Sequence, residues 1–323
     1  MSYKKSFFKV FKSLLCILLL LVLVPILLCF YPVFIEPNLL IVKHQEVYVP
    51  NWHTSHDGLK IAVLSDFHLN KWGINLQKLA KVVEKTNKEK PDVIFLLGDL
   101  DSYLIAREKF DKKQIAKILS GLSSKNGVFS VLGNHDYGPR VVKPILKKAG
   151  IVVLENHRFE LNVNGETLVI YGLKDFWHYS PDVNKIIKQY DRGRSIVLLS
   201  HNPDIFPQVP SFISLTLSGH THGGQVCVPF LGGLFTPSMW EQRFNKGYIV
   251  ENNKHLFVTS GLGFSIPLRF GNPPEIVILK VYSQKNHPNK KIENTQPLTG
   301  IKRSLNSFGM SIATKILGYF KES

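Results

Sequence analysis

Short apolar runs rich in branched side chains recur along the middle of the chain, and polar clusters follow them. Runs of this length and composition predict buried β-strands, and they cover residues 61–64, 93–97, 128–132, 196–199 and 213–217. Amphipathic segments, with apolar residues on one side and lysines on the other, predict helices over residues 75–88, 111–119 and 181–190. The alternation of the two patterns predicts an α/β fold.

Two turns later in the chain add antiparallel pairs to this picture. Asn164-Gly165 separates two strand-like segments, 159–163 and 168–171, which is a strong hairpin signal. Asn252-Asn253 lies between two further segments and predicts a second hairpin. Strand–helix units followed by hairpins fit two sheets that pack face to face with helices outside.

The N-terminal part has a different pattern. Residues 13–35 are almost uninterrupted apolar side chains, long enough to span a hydrocarbon core of about 30 Å. No small-x-small cleavage pattern follows, so we expect residues 1–36 to be a basic N-terminus and a retained transmembrane helix. Four lysines precede the run, which favours a cytoplasmic N-terminus and places the rest of the chain outside. Pro25 leaves a shallow re-entrant anchor open as an alternative, so the side on which the rest of the chain lies is not fixed.

The net charge of +16 and the pI near 9.6 point to an anionic partner. The sequence shows no nucleic-acid-binding module and no feature that points to a protein partner, and a lipid bilayer suits the charge better. Residues 283–323 form a basic linker followed by apolar residues at helical spacing. This segment predicts an amphipathic helix that either lies in the membrane interface or packs on the central α/β domain. Its apolar residues are Leu305, Phe308, Ile312, Ile316 and Phe320.

The polar clusters at the strand ends supply the candidate chemistry. Ligand sites of α/β sheets lie at the carboxyl ends of strands, so side chains far apart in sequence can converge there. The set mixes imidazole, carboxylate and amide groups, which suits two divalent cations about 4 Å apart with a bridging carboxylate. Its members are Asp66, His68, Asp99, Asn134, His201, His220 and His222.

In order and spacing these clusters resemble the motifs of the calcineurin-like metallophosphoesterases: D-x-H, G-D, G-N-H-D, an isolated His and G-H-x-H. The resemblance runs from about residue 60 to about residue 281, and it implies a four-layer α/β sandwich for a domain that we place at residues 37–282. It implies that Asp66, His68, Asp99 and His222 hold one metal, and that Asp99, Asn134, His201 and His220 hold the other. It also implies that His135 assists the phosphate or leaving group and that Asp136 orients His135. We expect Mn²⁺, with Fe²⁺, Zn²⁺ and Co²⁺ as alternatives.

One departure from the family pattern concerns the G-D motif. The family often has a second carboxylate three residues after the first, whereas this chain has Asp101 two residues after Asp99. The support that this carboxylate gives to the metal ligand is therefore in question.

Within the family, the segments 219–225 and 273–276 resemble a membrane-anchored bacterial branch that includes the UDP-2,3-diacylglucosamine pyrophosphatases of lipid A synthesis. The leading expectation is therefore hydrolysis of UDP-2,3-diacylglucosamine to lipid X and UMP. The alternatives are a phosphodiesterase or phosphatase for other lipid or envelope phosphoesters, and a membrane-tethered binding protein without catalysis.

The apolar loop 230–240, with Leu234 and Phe235, is a candidate for contact with acyl chains. Arg140, Arg243 and Arg269 are candidates for binding the phosphates.

Overall fold

A computed structural model describes residues 2–71, 73–102, 111–137, 142–179, 181, 183–188, 193–228 and 232–290. The predicted C-terminal helix and Arg140 therefore lie outside the described residues. The helices are α1 Ser2–Phe30, α2 Leu76–Lys88, α3 Lys112–Leu119, α4 Val142–Lys148 and α5 Val183–Lys188. The strands are β1 Ile41–Val49, β2 Leu59–Leu64, β3 Val93–Leu96, β4 Val128–Ser130, β5 Val152–Val153, β6 His157–Val163, β7 Glu166–Gly172, β8 Ser195–Leu199, β9 Leu215–Ser218, β10 Cys227–Val228, β11 Gly232–Gly233, β12 Gly247–Glu251, β13 Lys254–Val258 and β14 Glu275–Ser283.

The N-terminal helix α1 stands apart from the core of the molecule. It contains Pro25 and continues through a π-helical turn, Tyr31–Ile35, and a 3-10 turn, Glu36–Asn38. The segment Phe11–Asn38 is long and apolar enough to cross a membrane, and none of its most apolar stretch is buried against the protein. This agrees with the expected anchor by length and composition.

Two six-stranded mixed sheets form the body of the domain that follows the N-terminal helix. The first has the order β1-β14-β2-β3-β4-β5, with β14 antiparallel to β2 and the other neighbours parallel. The second has the order β12-β13-β9-β8-β7-β6, with antiparallel pairs at both edges. Both edge pairs are the predicted hairpins, at Asn164-Gly165 and Asn252-Asn253. These hairpins and the predicted strands are therefore confirmed.

The alternation of side chains along the strands builds the layers. Ile61 and Val63 point into a core shared with the second sheet, where they join residues such as Leu199 and Leu217. Ala62 and Leu64, one residue out of phase, pack beneath helices α2, α3 and α4 on the outer face. Helix α5 covers the outer face of the second sheet. The result is two packed sheets flanked by helices, which confirms the predicted fold class.

Side-chain caps fix where the outer helices begin. The side chain of Asn75 accepts a hydrogen bond from the backbone N–H of Lys78, and Asp111 accepts from Lys113 and Gln114. Each cap satisfies donors that have no partner inside a first helical turn. The caps thus define the first residues of α2 and α3.

Candidate metal centre

The predicted metal ligands lie at the carboxyl ends of five strands from both sheets. Strands β2, β3 and β4 run parallel in the first sheet, and β8 and β9 run parallel in the second. Their ends meet at one edge of the sandwich, as expected for an α/β fold. The two carboxylates and four imidazoles are at least 96% buried, and Asn134 is half-buried. The structure therefore brings together all seven side chains that the sequence singled out.

Asp99 occupies the middle of this cluster. Its Oδ2 lies 3.2 Å from His201 Nε2 and 3.5 Å from His68 Nε2. On one side, His68 Nε2 lies 3.1 Å from His222 Nε2, which in turn lies 3.7 Å from Asp66 Oδ1. Asp66, His68 and His222 thus form a group of ligand atoms within 4.8 Å of one another.

The second group lies on the other side of Asp99. His201 Nε2 is 3.1 Å from Asn134 Oδ1 and 3.2 Å from His220 Nδ1. Asp99, His201 and His220 again place their ligand atoms within 4.8 Å. Asp99 is therefore the residue positioned between the two groups.

The hydrogen bonding of His201 provides a test of whether these residues fit a metal. Its Nδ1 lies 2.7 Å from the carbonyl of Leu97, to which it donates, so the neutral ring carries its lone pair on Nε2. That nitrogen faces His220 Nδ1, Asn134 Oδ1 and Asp99 Oδ2 at 3.1 to 3.2 Å. When the ring of His201 is neutral, its Nε2 and the two oxygens are all acceptors, so positive charge is needed among them, from a proton on Nε2 or from a metal ion. The donor set fits a metal ion.

The electrostatics of the cluster lead to the same conclusion. Burial lowers the pKa of His68 to about 3 and that of His222 to about 3, so both rings are neutral at physiological pH. Burial would also lower the pKa of His201, but the charge of Asp99 overrides it and raises that pKa to about 10. For Asp99, burial would raise the pKa, yet His201 and its neighbours hold it well below its usual range. Without a metal ion, a protonated His201 supplies the positive charge that the buried Asp99 carboxylate requires, while His68 and His222 are neutral ligands; a metal ion would take the place of that proton.

The backbone at the ligands adopts a conformation that side chains rarely take. Asp66, His68, Asp99, His220 and His222 have φ of 53°, 43°, 53°, 69° and 50°. Positive φ at residues other than glycine costs free energy and clusters at functional sites.

Close approach of two loops supports this backbone. Gly98 and Gly133 lie so near each other that a Cβ on either would overlap the opposite loop. The glycines of the G-D and G-N-H-D motifs are thus required by packing between the strand ends.

The structure shows a role of Asp136 that the sequence did not predict. Its carboxylate accepts hydrogen bonds from the backbone N–H groups of Asp99 at 2.8 Å, Leu100 at 2.9 Å and Gly133 at 2.8 Å. Its oxygens hold the turn that carries Asp99, and the expectation that it orients the His135 ring stays a prediction. Burial, together with the charge of Asp99, raises the pKa of Asp136 to about 7.

Asp136 also supports the G-D motif, in which the second carboxylate of the family pattern is shifted to Asp101. The carboxylate of Asp101 accepts a hydrogen bond from the next backbone N–H, that of Ser102, at 2.8 Å. The turn after Asp99 is braced by Asp136 from the neighbouring loop.

His135 lies at the edge of the cluster. Its Nε2 is 4.0 Å from Asp99 Oδ2, and its ring lies edge-on to that of His68 with centroids 4.9 Å apart. It keeps 19% of its side chain exposed, unlike the buried ligands around it. A group in this position can reach both the ligands and a molecule that enters from solvent.

Arg269 is not available to a phosphate, so its expected role is corrected. The residue is completely buried, and its guanidinium donates to the carbonyls of Gly263 at 3.0 Å, Asn272 at 2.9 Å and Ser260 at 2.8 Å. Burial lowers its pKa to about 10. Arg269 is a structural brace for the loop that follows β13.

The donors of Arg243 are also taken by a protein group. Its Nε and Nη2 donate to the two oxygens of Glu251 at 3.0 and 2.7 Å. The guanidinium carbon lies 4.9 Å from the ring centroid of Trp240, at an exposed position. The structure therefore pairs Arg243 with a carboxylate and an aromatic ring, not with the metal cluster.

Leu234 and Phe235 lie next to the last histidine motif, as expected for the apolar loop. The backbone N–H of Leu234 donates to the carbonyl of Val226 at 2.8 Å, and that of Phe235 to Gly224 at 3.3 Å. Both side chains are half-buried. The loop is thus fixed to the segment that directly follows His222.

Sequence reasoning missed Ser265. Its Oγ lies 3.0 Å from His222 Nε2, although 43 residues separate the two in the chain. A single serine in a loop carries no sequence signal for such a contact.

This fold and this cluster define a metal-dependent phosphoesterase. The profile of the calcineurin-like phosphoesterases matches residues 59–224. The chain belongs to the calcineurin-like phosphoesterase family, and it is a metal-dependent hydrolase, which confirms the resemblance seen in the sequence.

Individual proteins show the same relationship. The chain is 30% identical to the uncharacterized metallophosphoesterase YkuE of Bacillus subtilis, with 78% of this chain and 89% of that protein covered. It is 28% identical to the UDP-2,3-diacylglucosamine pyrophosphatase LpxG of Chlamydia trachomatis, with 79% of this chain and 93% of that protein covered. A solved dimetal phosphatase from Danio rerio, 11% identical, covers 70% of this chain and all of its own at a TM-score of 0.44.

Proposed function

We propose that the chain holds two divalent metal ions, with Asp99 as the ligand that they share. The observation that carries this proposal is the position of Asp99 between the two groups of ligand atoms. Asp66, His68 and His222 complete one site, and Asn134, His201 and His220 complete the other. When bound, such a pair of ions supplies an activated water and stabilises charge on the phosphoryl oxygens.

The residues around the ligands have distinct tasks in this proposal. His135 contacts the phosphate or the leaving oxygen, because it is the exposed imidazole at the edge of the cluster. Asp136 keeps the turn of Asp99 in its positive-φ conformation through its backbone hydrogen bonds. The ligands therefore keep their positions while substrate binds and products leave.

Mn²⁺ is the proposed ion, and Fe²⁺, Zn²⁺ and Co²⁺ are the alternatives that a set of imidazole, carboxylate and amide oxygen without thiolate also admits. The test uses the full chain, stripped with a chelator and reloaded separately with Mn²⁺, Fe²⁺, Zn²⁺ and Co²⁺. We expect two ions per chain by elemental analysis and the highest rate with Mn²⁺. One ion per chain, or the same rate with and without metal, would reject the dinuclear proposal. Asp99→Ala should lose both metal and activity.

The proposed substrate is UDP-2,3-diacylglucosamine, which water splits into 2,3-diacylglucosamine 1-phosphate and UMP. Three observations support it: the similarity to LpxG proteins, the apolar N-terminal helix, and the half-buried apolar loop beside His222. A membrane-anchored enzyme of the bacterial inner membrane would meet this lipid in the bilayer. Leu234 and Phe235 are the proposed contacts for its acyl chains.

The substrate test compares a lipid and a soluble phosphoester. The full chain with Mn²⁺ is incubated with UDP-2,3-diacylglucosamine in mixed micelles, and the products are identified by mass spectrometry. We expect lipid X and UMP in equal amounts, and none with Asp99→Ala. Hydrolysis of bis(4-nitrophenyl) phosphate without release of UMP would keep the phosphoesterase and reject this substrate.

A phosphodiesterase for other lipid or envelope phosphoesters is the second candidate. The observation in its favour is the group of lysines before the apolar helix, which favours an external catalytic domain. Protease accessibility of the catalytic domain in intact spheroplasts would separate the two. Digestion from outside would favour the second candidate, and protection would favour the first.

A further inference from the structure

The end of the N-terminal helix is docked onto the catalytic domain. The carbonyl of Pro32, which is buried, accepts a hydrogen bond from the backbone N–H of Arg269 at 2.9 Å. The ring of Tyr31 lies edge-on to that of Phe270, with centroids 6.3 Å apart. Glu36 is only 2% exposed, and its carboxylate accepts from the backbone N–H of Gly271 at 2.9 Å. The helix is therefore joined to the domain through a packed contact and not through a free tether.

The segment that receives the helix is residues 265–271, which we name the rim loop. It is fixed from inside by Arg269, whose guanidinium binds three backbone carbonyls. It is fixed from the metal side by Gln225, whose Nε2 donates to the carbonyl of Leu268 at 2.8 Å. The rim loop thus has a defined position between the helix and the histidine motif.

The same loop touches the metal centre. Its first residue, Ser265, places Oγ 3.0 Å from His222 Nε2. Asn272, directly after the loop, donates from Nδ2 to the carbonyl of His222 at 2.5 Å. One short segment therefore contacts both the end of the helix and a candidate metal ligand.

Apolar side chains are exposed at this junction. Ile266 of the rim loop is 36% exposed and is followed by the exposed Pro267. On the helix side, Phe30 and Phe34 are 48% and 60% exposed. The candidate span of 28 residues is about 42 Å long at about 1.5 Å per residue, more than the hydrocarbon core of about 30 Å. Its ends therefore reach into the membrane interface.

We propose that the rim loop lies in the membrane interface beside the anchor, so that the metal centre meets lipid headgroups at the bilayer surface. The occupant of this apolar surface is the bilayer itself, because the rim loop packs against the end of the helix that enters the bilayer. A phosphate carried by a membrane lipid then reaches the cluster near His222 while its acyl chains stay in the bilayer. The inference rests on the proposed anchor and does not depend on which lipid phosphoester the enzyme hydrolyses.

The experiment labels the protein from within the membrane. The full chain is reconstituted in vesicles of phosphatidylcholine and phosphatidylglycerol that contain a phospholipid with a diazirine in its acyl chain. After irradiation, adducts are mapped by mass spectrometry. We expect adducts on the apolar helix and on the rim loop. Val152, which is 38% exposed on edge strand β5, is the matched control, because Ile266 has nearly the same exposure.

Two variants connect this contact to catalysis. Ile266→Asp should reduce rim-loop labelling and slow hydrolysis of vesicle-borne UDP-2,3-diacylglucosamine about tenfold, because an apolar membrane contact is lost. Hydrolysis of soluble bis(4-nitrophenyl) phosphate should stay within twofold. Val152→Asp should change neither rate. Ile266→Ser gives a milder change at the same position if the aspartate lowers the yield of folded protein.

Several results would overturn the inference. A labelled helix with a rim loop as unlabelled as Val152 rejects the membrane contact and keeps the anchor. If the helix is also unlabelled, both the membrane contact of the rim loop and the anchor are rejected. Equal loss of the two activities in Ile266→Asp assigns the loop a structural role only. If neither substrate is hydrolysed, the proposed function fails, while the labelling pattern still decides the position of the loop.

Discussion

Replacing Arg269 by Met separates a structural role from a phosphate-binding role. The substitution keeps an unbranched side chain and removes every guanidinium donor. It leaves the buried carbonyls of Gly263, Asn272 and Ser260 without the partners they have at 2.8 to 3.0 Å. Each unsatisfied buried group costs about 1–3 kcal/mol, and the loss is partly offset because a buried charge is removed. We expect a net destabilisation of about 3–5 kcal/mol.

The assay for Arg269→Met combines unfolding with kinetics. For a chain of this size, about 4 kcal/mol corresponds to a fall in Tm of roughly 10 °C. Initial rates with bis(4-nitrophenyl) phosphate, measured well below both transitions, should show a KM within twofold of the parent. Arg243→Met is the matched control, since its exposed pair with Glu251 contributes less than about 1 kcal/mol. An unchanged Tm with a tenfold higher KM would refute the structural role and restore the phosphate role.

The remaining predictions concern the metal cluster and the apolar loop. His135→Ala should lower turnover at least about 100-fold with metal content retained by elemental analysis, and an emptied site would instead make His135 a ligand. Asp136→Asn should weaken metal binding about 10- to 100-fold in a competition titration with a chelating dye, because it disturbs the turn of Asp99; unchanged affinity would contradict this. Leu234→Asp together with Phe235→Asp should weaken use of diacylated substrate and spare bis(4-nitrophenyl) phosphate, because only acylated substrates contact the loop. Equal loss on both substrates would reject the acyl contact.

The strands and the ligands could be predicted from the sequence because both follow simple periodic rules. Buried strands such as Val93–Leu96 are continuous apolar runs, and a parallel arrangement places the residues that follow them at one edge. Asp99 comes three residues after that strand, so its approximate location follows from the strand alone. The resemblance to a known family then orders the clusters into one site.

The arginine roles could not be predicted in the same way. A guanidinium uses the same donors to bind carboxylates, phosphates and backbone carbonyls. Which of these partners it binds depends on whether the side chain is buried. Arg269 lies in a loop whose path depends on contacts with residues on other elements, Pro32 and Gln225 among them. No local pattern contains that information. The contact of Ser265 with His222 could not be predicted from the sequence for the same reason.

The conformation of the metal ligands depends on buried side chains that hydrogen-bond to the backbone around them. Five ligands have positive φ, and such backbone costs on the order of 1–3 kcal/mol per residue. The chain keeps this conformation because buried polar side chains bind the backbone of the surrounding loops: Asp136 holds N–H groups near Asp99, and Arg269 holds carbonyls beside His222. Glu36 does the same where the helix ends, through the N–H of Gly271. Since these side chains are buried, removing one leaves backbone groups without their partners and lowers stability, and metal binding should weaken as well where the backbone belongs to a ligand, as at Asp99.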